Sequence, residues 1–366
     1  MRILFWSETF WPRVGGVENL AAKLLPALRT RGHEFTVVTW DHRIENPDVI
    51  WFEGAPVYRF PFFSRRGEDT FDSIVKHRNA VTRLKRDFRP DLVHINSYGR
   101  TIFFHLTTVD VYPAPMLVTL HQALPDEAIG HETLLGKLLS MADWVTACSA
   151  AVLCHAGELA PILPRSSLIR NALERPRIAR RSLPFDPPRV LFLGRLVAEK
   201  GLDWALCALP PVFRRFPHAR FLVAGEGPEL QKLKLKAVQL GLAPWVEFVG
   251  GVPPQSVPHL LNDATLVVMP SRIEGFGLVA LEAAMMGRPV VAARVGGLPE
   301  VVLDRQTGFL VEPCDADLFA QAISTLLGDH KMARQFGDAA WRRAQQVFDW
   351  DQYVDSYDAL YRQLGT

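Results

Sequence analysis

Cysteine is scarce in this chain of 366 residues, with only Cys148, Cys154, Cys207 and Cys314. No Cys-x-x-Cys pair and no Cys/His cluster with zinc spacing is present, which argues against a metal-stapled scaffold; the thiols read as buried groups in a reducing compartment. An excess of one charge is lacking too. Lys and Arg number 41 against 39 Asp and Glu, a net charge of +2, so the basic footprint of a nucleic-acid-binding protein is absent. No apolar run approaches the ~18 residues needed to cross a bilayer. Low-complexity tracts and short-period repeats are missing. Met1-Arg2 runs straight into the apolar Ile3–Trp6 without a charged leader and cleavage site, so the expected location is the cytoplasm.

What is present describes a globular enzyme. Hydrophobic residues make up 48% and charged residues 22%, and the length calls for two domains. Short apolar runs alternate with helical patterns in the first half. Arg2–Ser7, Phe35–Thr39, Pro56–Phe60, Leu92–Ile95 and Met116–Leu120 read as strands. Between the first two, Val17, Leu20, Ala21, Leu24, Leu25 and Leu28 recur at helical spacing, and Gly32 stops the helix. This rhythm predicts a parallel α/β sheet covered on both faces, with ligands at the carboxyl ends of its strands. From Glu174 to Pro188, basic residues and four prolines break the pattern, and the stretch reads as a linker. A second sheet is expected from Val190–Leu193, Arg220–Ala224, Val246–Val249, Thr265–Met269 and Pro289–Ala292. The expected division is 1–173, linker 174–188, 189–348, and a final amphipathic helix in 349–366.

The most informative segment is Glu274-Gly-Phe-Gly-Leu-Val-Ala-Leu-Glu282, which follows a buried apolar run. A helix starting near Gly277 places small residues and free backbone N–H groups where a phosphate approaches closely. Glu274 before the helix and Glu282 within it bring two carboxylates to one pocket, where they accept hydrogen bonds from hydroxyls. A diphosphate and two polyols in one pocket describe a nucleotide sugar.

Two glutamates separated by seven residues, with Gly-Phe-Gly after the first, resemble the signature of retaining glycosyltransferases of glycosyltransferase family four. That resemblance implies the GT-B fold: two Rossmann-like domains with parallel sheets facing across a cleft, the final helix returning to the first domain. Further motifs carry it. In Gly194-Arg195-Leu-Val-Ala-Glu-Lys200-Gly201 it implies that Arg195 and Lys200 face the donor diphosphate and stabilise charge on the leaving nucleotide. The loop at Gly225 would lie near the nucleotide, although a plain turn reads equally well there, and the backbone at Gly250 would meet the base. Gly275, Phe276, Gly277 and Leu278 would line the donor phosphates, Glu274 the sugar hydroxyls and Glu282 the ribose. Pro12-x-x-Gly15-Gly16-Val17-Glu18 resembles the loop that reaches the donor from the first domain. His121 matches a histidine of the donor-sugar pocket. His94 reads as a satisfied buried histidine, with Asn96 where relatives often carry a second one. Ala293-Arg-Val-Gly296-Gly297-Leu-Pro-Glu300 resembles a turn that shapes the pocket wall, with Arg294 unusual in it.

The implied reaction transfers a hexose or N-acetylhexosamine, with retention, from a UDP- or GDP-sugar to a glycan or lipid-linked acceptor. Cell-envelope or exopolysaccharide synthesis is the expected setting. Arg195, Lys200, Glu274 and His121 are the candidate catalytic residues. No cofactor is expected, and no metal, since no Asp-x-Asp is recognised near a strand end. A nucleotide-sugar epimerase, a phosphorylase on the same fold, and a non-catalytic sugar-nucleotide binding protein are the other readings. Between Arg59 and Arg89 stand nine basic residues (59, 65, 66, 76, 78, 83, 85, 86, 89) against four acids (68, 69, 72, 87), interleaved with Phe60, Phe62, Phe63 and Phe71. This segment reads either as a solvated helix face or as a peripheral contact with the anionic inner face of a membrane.

Overall fold

The computed structural model describes residues 1–13, 15–41, 43–63, 70–122 and 133–365. The chain divides into two compact units, one of residues 1–169 with 351–366 and the other of residues 170–350.

The first unit runs β1 (Arg2–Ser7), α1 (Gly16–Arg29), β2 (Glu34–Trp40), β3 (Asp48–Phe52), β4 (Ala55–Phe60), α2 (Phe71–Phe88), β5 (Leu92–Ser97), α3 (Ile102–Leu106), β6 (Met116–Leu120), α4 (Leu134–Met141), β7 (Trp144–Ala147), α5 (Ala150–Leu159) and β8 (Ser166–Leu168). These strands form an eight-stranded sheet ordered β3-β4-β2-β1-β5-β6-β7-β8. All its pairs are parallel except the β3–β4 hairpin at one edge. Ile3 to Trp6 are wholly buried, which is why β1 reads as an unbroken apolar run rather than an alternating one.

The second unit runs β9 (Arg189–Leu193), α6 (Leu202–Arg215), β10 (Arg220–Ala224), α7 (Leu230–Gln239), β11 (Val246–Gly250), α8 (Val257–Asn262), β12 (Leu266–Met269), α9 (Leu278–Met285), β13 (Val290–Ala293), α10 (Leu298–Val301), β14 (Gly308–Val311), α11 (Ala316–Gly328) and α12 (His330–Val347). Its six parallel strands are ordered β11-β10-β9-β12-β13-β14. From β9 the chain steps outward one way, and from β12 the other way. The β9/β12 boundary is therefore the topological switch point, outside whose carboxyl ends ligands bind in open α/β sheets. In the first unit the corresponding boundary is β1/β5.

The final helix, α13 (Trp350–Leu364), belongs to the first unit from Asp351 onward. It buries Tyr353, Val354, Tyr357, Leu360 and Tyr361 on one stripe. Tyr361 Oη meets His94 Nδ1 at 2.6 Å, and Asp358 meets His33 Nε2 at 2.7 Å.

Residues 174–188 pack as part of the second unit, which differs from their reading as a linker. Leu183 joins the core, and the Phe185 ring stacks on His330 at 3.7 Å. Asn262 accepts from Arg181 N at 2.9 Å and donates to Ala179 O at 3.0 Å. The buried Arg288 guanidinium donates to backbone carbonyls, among them Ala264 O at 3.0 Å and Arg181 O. Local composition missed these long-range partners. The cysteine expectation also needs correcting: Cys148 alone is buried, and Cys154, Cys207 and Cys314 are exposed.

Candidate active site

In the second unit the loops that leave β9 and β12 are locked together. Gly201 caps α6 with φ of 66°, and a Cβ there would lie 1.9 Å from Pro270 O. Only glycine lets the β9 loop press against the end of β12. Arg272 then ties the loops from the other side. Its backbone N–H donates to Glu199 O at 2.7 Å and Nη1 to Ala198 O at 2.7 Å, while the guanidinium forks onto Asp203 at 2.7 and 2.9 Å. These contacts bring Lys200 to Glu274 across the switch point.

Lys200 Nζ donates to Glu274 Oε2 at 2.6 Å, and Ser271 Oγ donates to the same oxygen at 3.2 Å. The two charged side chains are only 24% and 13% exposed. Glu274 Oε1 has no hydrogen-bond partner among the described residues and stays open as an acceptor. Behind the pair, Gly297 N donates to Glu274 O at 3.3 Å, so the Gly296-Gly297 turn holds the glutamate backbone. Arg294 in that turn binds Glu312 and Asp304 at 3.1 and 3.2 Å, which gives it a structural role.

The neighbouring loops close on the same edge. Gly225 N donates to Gly250 O at 2.7 Å, and a Cβ on Gly225 would lie 1.8 Å from Gly194 O. Arg195 is exposed and makes no side-chain hydrogen bond among the described residues. Gly277 caps α9 without a side-chain hydrogen bond, leaving the first N–H groups of the helix free for an anion. Phe276 is buried against Phe348, their ring centroids 5.7 Å apart, so its side chain anchors the loop. Leu278 opens α9, and Glu282 lies half-buried in its second turn. Arg195, Lys200, Gly225, Gly250, Glu274 to Leu278, and Glu282 thus all lie at or beyond the carboxyl ends of β9 to β12.

Gly15, Gly16 and His121 lie in the first unit. Gly15 caps α1, and Gly16 is its first residue. His121 follows β6, and its Nε2 donates to Asn96 Oδ1 at 3.2 Å. Burial lowers its pKa to about 4, so the ring is neutral near pH 7 with Nδ1 as an acceptor. That Nδ1 and the Asn96 amide nitrogen are both buried without a partner. His94 is satisfied on both sides, by Tyr361 at 2.6 Å and Thr119 Oγ1 at 2.8 Å.

The family described as glycosyl transferases group 1 matches residues 175–343, and glycosyltransferase family 4 matches residues 14–177. A glycogen synthase of Mycobacterium tuberculosis is 32% identical over 401 aligned residues, covering 99% of this chain and 94% of that protein. The chain belongs to glycosyltransferase family 4. A GDP-mannose-dependent α-(1-6)-phosphatidylinositol monomannoside mannosyltransferase of Mycolicibacterium smegmatis is 40% identical over 172 residues, 45% of each chain. Among solved structures, sucrose-phosphate synthase from Thermosynechococcus elongatus superposes with a TM-score of 0.85 at 24% identity, covering 99% of this chain and 98% of that one. Anabaena HepE in complex with UDP and glucose gives 0.82 at 22%, covering both chains fully. The fold of this glycosyltransferase is GT-B.

Two features of the transferase escaped the sequence reading. The Arg272–Asp203 fork joins residues 69 apart in the chain, and neither has a local signal. Asp-x-Asp pairs do occur, as Asp315-Ala-Asp317 four residues past β14 and Asp349-Trp-Asp351. Asp315 is used as the cap of α11, accepting from Leu318 N at 2.9 Å. The basic segment also changes character. Arg59 pairs with Asp41 and Asp48, Lys85 is buried against carbonyls, and Phe60 and Phe62 are core residues. Arg65, Arg66, Glu68 and Asp69 lie outside the described residues. No described helix is long and apolar enough to cross a membrane.

Proposed function

We propose that this family 4 enzyme is a retaining glycosyltransferase that moves a hexose or N-acetylhexosamine from a UDP- or GDP-sugar to a glycan or lipid-linked acceptor. The observation that carries the reading is the Lys200–Glu274 pair at the β9/β12 switch point. A partly buried cation beside an open carboxylate oxygen suits a ligand with phosphate at one end and hydroxyls at the other. The relatives support a nucleotide-sugar donor, one being a GDP-mannose-dependent mannosyltransferase, and HepE binds UDP with glucose.

In the transfer, the bond between the anomeric carbon and the diphosphate oxygen breaks. The acceptor oxygen bonds to that carbon on the same face, and its proton passes to the released phosphate oxygen. Arg195, Lys200 and the free N–H groups of α9 stabilise the departing charge. Glu274 Oε1 holds a sugar hydroxyl and Glu282 the ribose, while the Gly250 backbone meets the base. In the first unit, the Gly15–Gly16 amides take phosphate, and His121 Nδ1 accepts from a sugar hydroxyl. With two side-chain cations on the diphosphate, no metal and no cofactor are required. The setting is cell-envelope or exopolysaccharide synthesis in the cytoplasm. The exposed face of α2 with its C-cap, carrying Phe71, Lys76, Arg78, Arg83, Arg86 and the capping Arg89 against Asp72 and Asp87, offers a peripheral contact with anionic lipid.

A thermal-shift screen of UDP-, GDP- and ADP-sugars tests the donor, repeated with Glu282→Ala and with chelator. Selective stabilisation by one nucleotide, weakened in the variant and indifferent to chelator, is expected. No stabilisation by any of them overturns the reading. Sedimentation with anionic vesicles at low salt tests the membrane contact, and absence of binding removes it.

A further inference from the structure

The first unit carries a small cavity, of about 170 Å³, where the β1–α1 loop meets the ends of β2 and β4. Its size is well below the ~300 Å³ at which sites for drug-sized ligands begin. The occupant it suits is one small ring or chain. Arg13, Arg43 and Arg59 face it together with one carboxylate, Asp41.

The charges do not cancel. Arg43 forks onto Asp41 through Nε at 2.9 Å and Nη2 at 2.8 Å, and Arg59 Nη1 reaches the same carboxylate at 3.2 Å. Arg59 also forks onto Asp48 behind the wall, through Nε at 2.7 Å and a second bond from Nη2. Two carboxylates thus serve two guanidiniums. Arg13 is left over: it is exposed and makes no side-chain hydrogen bond or ion pair among the described residues. The hydrogen bonds from Arg43 hold Asp41 down at about 2, so the pair remains charged at any ordinary assay pH.

The rest of the wall suits a polyol. Trp11, 41% exposed, packs over Phe52 at 5.0 Å and presents an aromatic face of the kind on which a sugar ring stacks. Thr39 supplies a hydroxyl that donates to Glu8 O at 3.5 Å and keeps its oxygen as an acceptor. The Asp41 oxygens are already taken, Oδ1 by Arg43 N and Nε and Oδ2 by Arg43 Nη2 and Arg59 Nη1, so Asp41 acts by holding the two guanidiniums. Phe10 to Arg13 belong to the same loop as Gly15 and Gly16, so the cavity opens at the carboxyl edge of the sheet, where that loop lies.

We propose that this cavity holds the acceptor through a phosphoryl group on a small sugar or polyol. Arg13 and the free donors of Arg43 take the phosphate, and Trp11 and Thr39 take the ring. The proposal deepens the transferase reading and rests on it for the acceptor role. The same chemistry is presented by a soluble sugar phosphate and by a phosphoinositide-type lipid headgroup.

Calorimetry on the full chain with glucose 6-phosphate against glucose, and with myo-inositol 1-phosphate against myo-inositol, reads the phosphate dependence. Sedimentation with phosphatidylinositol in phosphatidylcholine vesicles, against phosphatidylcholine alone, reads the headgroup. A phosphorylated probe is expected to bind at least about tenfold more tightly than its neutral partner, with Arg13→Ala weakening it about tenfold. Because Arg13 is exposed and unpaired, that variant should fold as the parent does; Arg43→Ala should weaken binding further. Binding of soluble phosphates assigns a free acceptor, and Arg13-dependent binding of the vesicles alone assigns a lipid headgroup. Equal affinity for phosphorylated and neutral probes, unchanged binding in both variants, or no binding of any phosphorylated probe overturns the proposal. Thermal shifts with UDP and GDP on the same sample separate the two readings. If a nucleotide stabilises the protein while no phosphate probe binds, only the acceptor assignment fails. If Arg13-dependent phosphate binding occurs with no nucleotide response, the transferase reading and the acceptor role fail together.

Discussion

Single residues in this enzyme act through the partners that hold them. Lys200 and Glu274 are partly buried charges, and each fixes the other while leaving one carboxylate oxygen free. Replacing Glu274 with Gln preserves shape but removes the charge that orients Lys200. Initial rates with the cognate donor should fall about 100-fold or more, worth about 2.7 kcal/mol of barrier, while urea-denaturation stability changes by no more than about 1 kcal/mol. A rate within threefold of the parent would remove Glu274 from the machinery. His94 shows the opposite kind of role. Burial lowers its pKa to about 3, so the folded protein keeps it neutral while an unfolded chain takes up a proton below about pH 6.5. Because the unfolded state binds more protons in that window, the stability due to neutral His94 is intact above it and is lost as the pH falls. Between pH 7 and pH 5 the loss from this one residue is about 2 kcal/mol. His94→Gln should shrink the pH dependence of the unfolding free energy from urea titrations by that amount, whatever it costs at pH 7. An unchanged pH dependence would show that His94 does not carry it.

At the scale of elements, what could be read from the chain depended on how local its causes were. The central strands β1, β2, β5, β6, β9, β10 and β12 announce themselves because burial on both faces demands continuous apolar runs. The strands β3, β8 and β14 carry weaker patterns, since they lie at sheet edges. The β3–β4 hairpin turns through Glu53 and Gly54, both at positive φ, and makes one antiparallel pair where only parallel ones were expected. The candidate donor loops were legible for a related reason. Glycines that must sit beside a backbone carbonyl, such as Gly201, stand next to the charged residues they position. The Arg272–Asp203 fork was illegible because tertiary packing alone brings it together. It should still matter to function. Arg272→Lys keeps the charge and loses the planar fork, so stability should drop by about 1–2 kcal/mol and kcat should fall more than KM rises, as the β9 and β12 loops slip past each other. Wild-type kcat in that variant would mean that the loops hold Lys200 without the fork.

At the scale of the whole molecule, the last helix is a structural part of the first unit although nearly two hundred residues separate it from β8 in sequence. Tyr353, Tyr357 and Tyr361 are buried on it, and each large aromatic removes roughly 150–250 Å² from water. At about 25 cal/mol per Å², the stripe contributes on the order of 10 kcal/mol before the entropy of ordering the helix is subtracted. That is comparable to the entire ~5–15 kcal/mol by which a domain of this kind is stable. Losing the helix also leaves His94 Nδ1 without Tyr361 and His33 Nε2 without Asp358, so buried polar atoms go unmatched. A chain ending at Asp349 should therefore lose the first unit and keep the second, whose core draws on its own residues. Hydrogen exchange reads this directly: amides of β1, β5 and β6 should exchange freely while those of β9, β10 and β12 stay protected. Tyr361→Phe, which removes only the hydroxyl on His94, should cost about 1–2 kcal/mol and leave both sheets protected. Protection retained throughout the truncated chain would mean that the first unit closes its core without α13. Loss of protection in both sheets would mean that the two units fold as one.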